Sequence, residues 1–165
     1  MSGLIANTNP KPSTLAELPI VVDIGAGLRP MGWYKPERHI CVEPYKPYAD
    51  ELRKAGYEVV EMTAAEYIEH IPNGRVLVCM LDVIEHMPKD EGDQLLLTLQ
   101  NGIQPEQIVV TTPYGFLPQE GDAWGMGGDF WQKHRSGWTP DNFPGWKVTI
   151  YDDAADHKFF TAVYP

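Results

Sequence analysis

A chain of 165 residues is long enough to bury one substantial core, and its ordinary balance of apolar and charged residues excludes wholesale disorder. The formal net charge of −10 argues against a nonspecific nucleic-acid binder, because affinity for phosphates needs clustered Lys and Arg. No apolar run reaches the roughly 18 residues of a membrane span and the start has no charged-then-apolar leader, so the expected address is the cytoplasm.

Residues 1–18 mix Asn, Thr, Ser, Pro and Gly and read as a loose arm ahead of a single domain over 19–165. Thr14 and Glu17 have capping-box spacing, which predicts one helical turn over 14–18, ended by Pro19. A strand follows over 20–24, begun by the β-branched run Ile20-Val21-Val22, as in a parallel sheet covered on both faces. It ends in Asp23-Ile24-Gly25-Ala26-Gly27-Leu28-Arg29-Pro30, an acid followed by two glycines at alternate positions. Such glycines let the backbone turn sharply and let a ligand approach it with no Cβ in the way. Open α/β sheets build nucleotide sites in this manner at the carboxyl ends of their strands. Pro30, Gly32 and Pro36 interrupt the next segment, so a loop is predicted where a helix would normally stand.

His39 to Pro44 reads as a second strand carrying Glu43 near its end. Tyr48, Leu52 and Ala55 share one helical face, with Gly56 at the position of a C-terminal cap, predicting a helix over 47–55. Residues 57–62 read as a third strand, and Ala64, Ile68 and Ile71 give a second helix its stripe before Pro72-Asn73-Gly74 stops it. The run 75–81 is the most continuously apolar and predicts a central strand, closing on Asp82-Val83-Ile84-Glu85-His86. Pro88, Asp90 and Glu91 suit a helix start, with Leu95, Leu96, Leu99 and Ile103 as its buried face, and 107–113 is the fifth strand. Cys41 and Cys79 both fall inside apolar strand runs and read as buried thiols.

This alternation predicts a Rossmann-like, mostly parallel α/β sheet with helices on both faces. The rhythm changes over 114–145, where Gly and Pro are frequent and three of the five tryptophans fall: Trp124, Trp131 and Trp138. A long irregular stretch of that kind reads as a lid-like insertion. Residues 146–151 and 158–164 then read as a closing antiparallel hairpin.

Glu43 lies about twenty residues beyond the glycine turn, at the end of the neighbouring strand, where a carboxylate can accept two hydrogen bonds from a ribose diol. A dinucleotide fingerprint would require Gly-x-Gly-x-x-Gly running into a helix, and Pro30 stands at its third position.

In these motifs the chain resembles the class I S-adenosylmethionine-dependent methyltransferases. Asp23-Ile24-Gly25-Ala26-Gly27 looks like that family's first motif, Cys41-Val42-Glu43-Pro44 its ribose-binding acid, and Leu81-Asp82-Val83-Ile84-Glu85-His86 its fourth-strand motif. The last, and the stretch His134-Arg135-Ser136-Gly137-Trp138-Thr139-Pro140, are similar to small-molecule methyltransferases of the ubiquinone-biosynthesis and methyltransferase-domain type. The resemblance implies a seven-stranded sheet with a reversed last strand, S-adenosylmethionine as cofactor, and methyl transfer; the reading adopted here is transfer to a small-molecule acceptor, at oxygen. It implies that Gly25 and Gly27 line the amino-acid half of the cofactor, Glu43 the ribose, Met62, Thr63 and Ala64 the adenine, and Asp82 the sulfonium end, with Asp23 also cofactor-binding. The family's third glycine is replaced here by Arg29, which either pairs with the methionyl carboxylate or stands in solvent paired with Glu37. His86 and His134 are the candidate bases, with Tyr114 and Glu85 as further candidates. The reading assigns neither a metal nor an oligomeric state. Its rivals are a noncatalytic cofactor-binding or scaffolding module, and methylation of a macromolecule. Against the second stand the acidic balance and Thr112-Pro113-Tyr114-Gly115 in place of an Asn/Asp-Pro-Pro-aromatic motif.

Overall fold

The β-branched and apolar runs form seven strands in the computed structural model, which describes residues 3–165. They are β1 (Ile20–Ile24), β2 (Arg38–Val42), β3 (Glu58–Val60), β4 (Val76–Leu81), β5 (Gln107–Pro113), β6 (Lys147–Asp152) and β7 (Lys158–Tyr164). They make one sheet in the order β3-β2-β1-β4-β5-β7-β6. The first five are parallel, and β7 enters antiparallel between β5 and β6. Every residue of β4 and β5 is buried, which is why those runs carry no polar alternation, whereas β6 at the edge has four exposed residues and none that is buried.

Three longer connections are helical. The first, α1 (Lys46–Lys54), buries Tyr48, Ala49 and Leu52, and Leu52 packs with Cys41 on one face of the sheet. The second is shorter than its stripe suggested: α2 (Ala64–Tyr67) is held by a Thr63 and Glu66 capping box and runs only one 3₁₀ turn further, to His70. Pro72 forces Ile71 out of helical geometry there. The third, α3 (Lys89–Thr98), begins one residue after Pro88 and ends in a wide π turn over Leu99–Ile103. Its Leu95, Leu96 and Leu99 join Val22, Val78, Val110 and Trp138 on the opposite face from α1. The segment between β1 and β2 is a loop throughout, and both cysteines are free and buried, as expected.

Among the described residues, 3–18 lie against the sheet instead of standing off it as a loose arm. Because the β1–β2 segment carries no helix, the α1 side of β4 and β5 needs another cover, and the chain supplies it from its N-terminal stretch. Leu18 is 1% exposed and packs with Val21, Met31, Leu77, Cys79 and Val109, with Leu15, Ala16, Trp33 and Tyr34 closing around them. The helical turn expected over 14–18 does not form, because the Gln107 side chain takes the backbone groups it would have used. Gln107 Oε1 accepts from the Ala16 N–H at 2.8 Å and its Nε2 donates to the Thr14 carbonyl at 3.0 Å. Glu17, the expected capping partner, pairs with Lys11 instead.

The 114–145 stretch is anchored at its far end. Trp138 is fully buried against Gly92 of α3, where a Cβ would fall 2.5 Å from the indole, and its Nε1 donates to Ser136 Oγ at 2.8 Å. Phe143 and Trp146 continue this aromatic packing towards Phe160.

Leu18→Ala is expected to destabilise the protein by about 2–4 kcal/mol, as for other buried leucines. Ile5→Ala, at a side chain 42% exposed, is expected to change stability by less than about 0.5 kcal/mol. Urea unfolding of the two variants checks this, and equal small effects would restore the loose arm.

Candidate functional site

The strand order reverses between β1 and β4, and a cavity of about 1410 Å³ opens there at the carboxyl ends of the strands. Gly25 and Gly27 form its floor with φ of +66° and +55°. A Cβ at Gly25 would lie 2.7 Å from Val83 Cγ2, and one at Gly27 would lie 2.6 Å from the Trp124 ring. Both positions therefore require glycine on two counts, backbone conformation and space.

Glu43 stands over this turn. Its Oε2 accepts from the Gly27 N–H and its Oε1 from the Tyr45 N–H, both at 2.9 Å. Burial pushes its carboxyl up to about 7, an effect the two N–H donors only partly offset. Thr63 and Ala64 line the cavity beyond it, and Arg29 lines it on the other side. Arg29 does not pair with Glu37: its Nη2 donates to Thr8 Oγ1 at 2.8 Å.

Asp82 adopts a left-handed backbone, φ +57°, just past the end of β4. Its N–H donates to both the carbonyl and the Oγ1 of Thr111, and its carboxylate accepts from Thr111 Oγ1 at 3.1 Å and Asn9 Nδ2 at 3.2 Å. Burial raises its carboxyl above the ordinary range.

Three of the anticipated residues occupy other places. Asp23 does not line the cavity; its Oδ2 accepts from the Met31 N–H at 2.6 Å and meets His39 Nε2 at 2.9 Å, so it braces the glycine turn from behind. Met62 packs against the hydrophobic core rather than the cavity. Tyr114 is 43% exposed, rests against Phe160 and does not line the cavity.

His86 and His134 do meet, with ring centroids 4.8 Å apart and edge to face. Each points Nδ1 at a backbone carbonyl, His86 at Lys133 and His134 at Leu117. In the neutral ring this makes Nδ1 the donor and leaves the Nε2 lone pair free. Burial lowers both, His86 to about 4, so both rings are neutral near pH 7. Glu85 completes the group: it is 2% exposed, its Oε2 accepts from Thr112 Oγ1 at 3.1 Å, and burial pushes its carboxyl well up.

Sequence reasoning missed Asn9 and Thr8, because nothing in the first eighteen residues signals that they reach β4 and Arg29. It also gave Trp124 only a general role. The indole closes over Gly27, and its loop is tied down by Asp122, whose carboxylate accepts from the N–H groups of Trp124, Met126 and Gly128. Tyr45 adds a hydroxyl donated to the Met126 carbonyl at 2.7 Å.

No family model matches the sequence, and no curated protein matches it. Solved structures do match its fold. A SAM-dependent methyltransferase from Archaeoglobus fulgidus superposes with a TM-score of 0.58 at 14% identity, covering 88% of this chain and 85% of that one. The DhpI–SAM–HEP complex gives 0.60 at 11% identity, over 88% and 78%. The small RNA methyltransferase HEN1 gives 0.55 at 16% identity, over 87% of this chain but only 23% of the longer one. The chain has the class I S-adenosylmethionine-dependent methyltransferase fold. The seven-stranded sheet with its reversed strand, anticipated from the motifs, is therefore present. Among the described residues no helix is long and apolar enough to cross a membrane.

Because the folded-state value of Glu43 lies above the model-peptide value of 4.5, its contribution to stability is fully present below about 4.5 and is lost as pH rises through 7. Relative to the parent, Glu43→Gln is expected to gain about 2–3 kcal/mol between pH 4.5 and 8. Urea unfolding of both proteins across that range measures it; a difference that stays constant with pH would contradict the burial of a titrating carboxyl.

Proposed function

We propose that this protein is an S-adenosylmethionine-dependent methyltransferase acting on a hydroxyl of a small-molecule acceptor. The observation that carries the reading is the Gly25–Gly27 turn, closed to any side chain, directly below the Glu43 carboxylate at the point where the strand order reverses. That cradle fits a nucleoside with a charged amino-acid tail. Glu43 would accept from the ribose hydroxyls, Thr63 and Ala64 would flank the base, and Arg29 would meet the tail carboxylate. Asp23 acts one step back, by holding the turn in shape.

When bound, S-adenosylmethionine supplies a methyl group already activated on a sulfonium. The protein's own task is then alignment in a dry pocket and handling of the acceptor's proton. Glu85, His86 and His134 stand on the acceptor side, with neutral imidazoles able to polarise a hydroxyl. The 114–145 stretch is the proposed lid, held to the residue that precedes α1, Tyr45, and to α3 through Trp138.

The lining charges support a small acceptor over an RNA strand. Glu69, Asp90, Glu91 and Asp153 line the cavity, against only Arg29 and Arg135 on the basic side. A polyanion would meet like charge at the mouth.

S-adenosylhomocysteine is expected to bind with measurable heat in titration calorimetry, and Glu43→Ala to weaken it about tenfold to a hundredfold, the worth of hydrogen bonds to a charged acceptor. Below about pH 7 the affinity of the parent should fall as Glu43 protonates. A parent protein giving neither heat nor a thermal shift with S-adenosylmethionine or its demethylated product would sink the proposal. Binding without methyl transfer to any of a broad set of hydroxyl acceptors would favour the noncatalytic module.

A further inference from the structure

We propose that Glu85, His86 and His134 bind a first-row divalent metal ion whose open coordination positions receive the acceptor hydroxyl. The inference rests on the methyltransferase reading for the acceptor's role, but the ion site stands on its own geometry. One ligand atom from each of the three side chains lies within 4.8 Å of the other two. All three residues line the cavity, so an ion there is reachable by a bound acceptor.

Three further features separate this group from an ordinary buried polar cluster. The first is how the rings are held: both imidazoles donate Nδ1–H to a backbone carbonyl, of Lys133 and of Leu117, which orients each ring and leaves the Nε2 lone pair to a ligand. The second is missing counter-charge. Glu85 is buried beside Asp82, and among the described residues no Lys or Arg pairs with Glu85; the Thr112 hydroxyl is its one side-chain donor. Buried acids without a cationic partner are what a bound cation would satisfy. The third is origin. Glu85 and His86 come from the turn after β4, while His134 comes from the 114–145 stretch, where the Arg135 and Ser136 N–H groups are both donated to the Glu85 carbonyl. The backbone thus holds the two halves of the group in register before any ion arrives.

A second cluster, Asp23, His39 and Cys41, has comparable spacing but a different character. Its Asp23 oxygen is already shared between His39 and the Met31 N–H, and it lies behind the glycine turn rather than in the cavity.

Two imidazoles and one carboxylate suit Zn²⁺, Co²⁺, Fe²⁺ or Mn²⁺, and three protein ligands leave positions open. A hydroxyl bound there loses its proton to solvent more readily, as water does on a metal. The resulting alkoxide forms the new O–C bond while the C–S bond of the methyl donor breaks and its electron pair stays on sulfur, leaving neutral ether and thioether. The imidazoles then act as ligands rather than as the proton acceptor.

The probe is Co²⁺, added to chelator-treated protein and followed by its visible d–d absorption, alongside calorimetry with S-adenosylhomocysteine. The parent is expected to take up one equivalent of Co²⁺ with a ligand-field spectrum. His86→Ala and His134→Ala should each abolish that spectrum while still binding S-adenosylhomocysteine, which shows that they fold. Glu85→Gln should weaken Co²⁺ uptake at least tenfold. A parent that binds S-adenosylhomocysteine but shows no Co²⁺ spectrum overturns the proposal, as does a spectrum unchanged in both histidine variants. Co²⁺ uptake of the expected kind without nucleoside binding supports the ion site and overturns the methyltransferase reading instead.

Discussion

Four acidic side chains stand at or just beyond the ends of the strands that meet at the crevice, Asp23, Glu43 and Glu85 buried and Asp82 half-buried, so each must find donors there or stay uncharged. Asp23 finds the Met31 N–H and His39, Glu43 finds the N–H groups of Gly27 and Tyr45, Asp82 finds Thr111 and Asn9, and Glu85 finds Thr112. Those bonds place the loops. The glycine turn is clamped from behind by Asp23 and from above by Glu43, the N-terminal stretch is drawn across the end of β4 by Asp82, and the Glu85 carbonyl receives the 114–145 stretch. The site is in this sense the set of solutions to one electrostatic problem, repeated at neighbouring strand ends.

The same economy explains why a short chain can enclose so large a cavity. The loop between β1 and β2 gives up a helix, and the N-terminal stretch covers the exposed side of the sheet through Leu18 and the Gln107 bridge. That stretch then delivers Thr8 and Asn9 to the crevice. On the other side, Trp138 against Gly92 fixes the far end of the 114–145 stretch, leaving Trp124 and its Asp122-organised loop to close over Gly27. Cover for the core and walls for the cavity are made from the same residues.

Much of this was legible in the chain. Runs without polar alternation, such as the wholly apolar 76–81 and the Ile108–Val110 centre of β5, read as central strands because both of their faces need apolar neighbours. Gly25 and Gly27 after a strand, with Glu43 at the end of the next, announced the crevice because positive φ and close approach leave a residue-level trace. Asp23 was legible as important but not as a brace, since an acid facing a ligand and an acid facing a backbone N–H are the same letter. Tyr114 and Met62 were assigned to the site from their positions after strands, and side-chain direction there is set by packing against Phe160 and the core.

By itself, then, the order of residues determined most of the elements, the parallel sheet and the glycine turn, because periodicity, glycine placement and strand-end charge act over a few neighbouring residues. Only the tertiary structure decided that Asn9 meets Asp82 across seventy-three positions and that His134 meets His86 across forty-eight. It also decided that Leu18, with Leu15 and Ala16 beside it, packs into the core. Those outcomes depend on which surfaces remain uncovered once the sheet has formed, and no local pattern encodes that remainder.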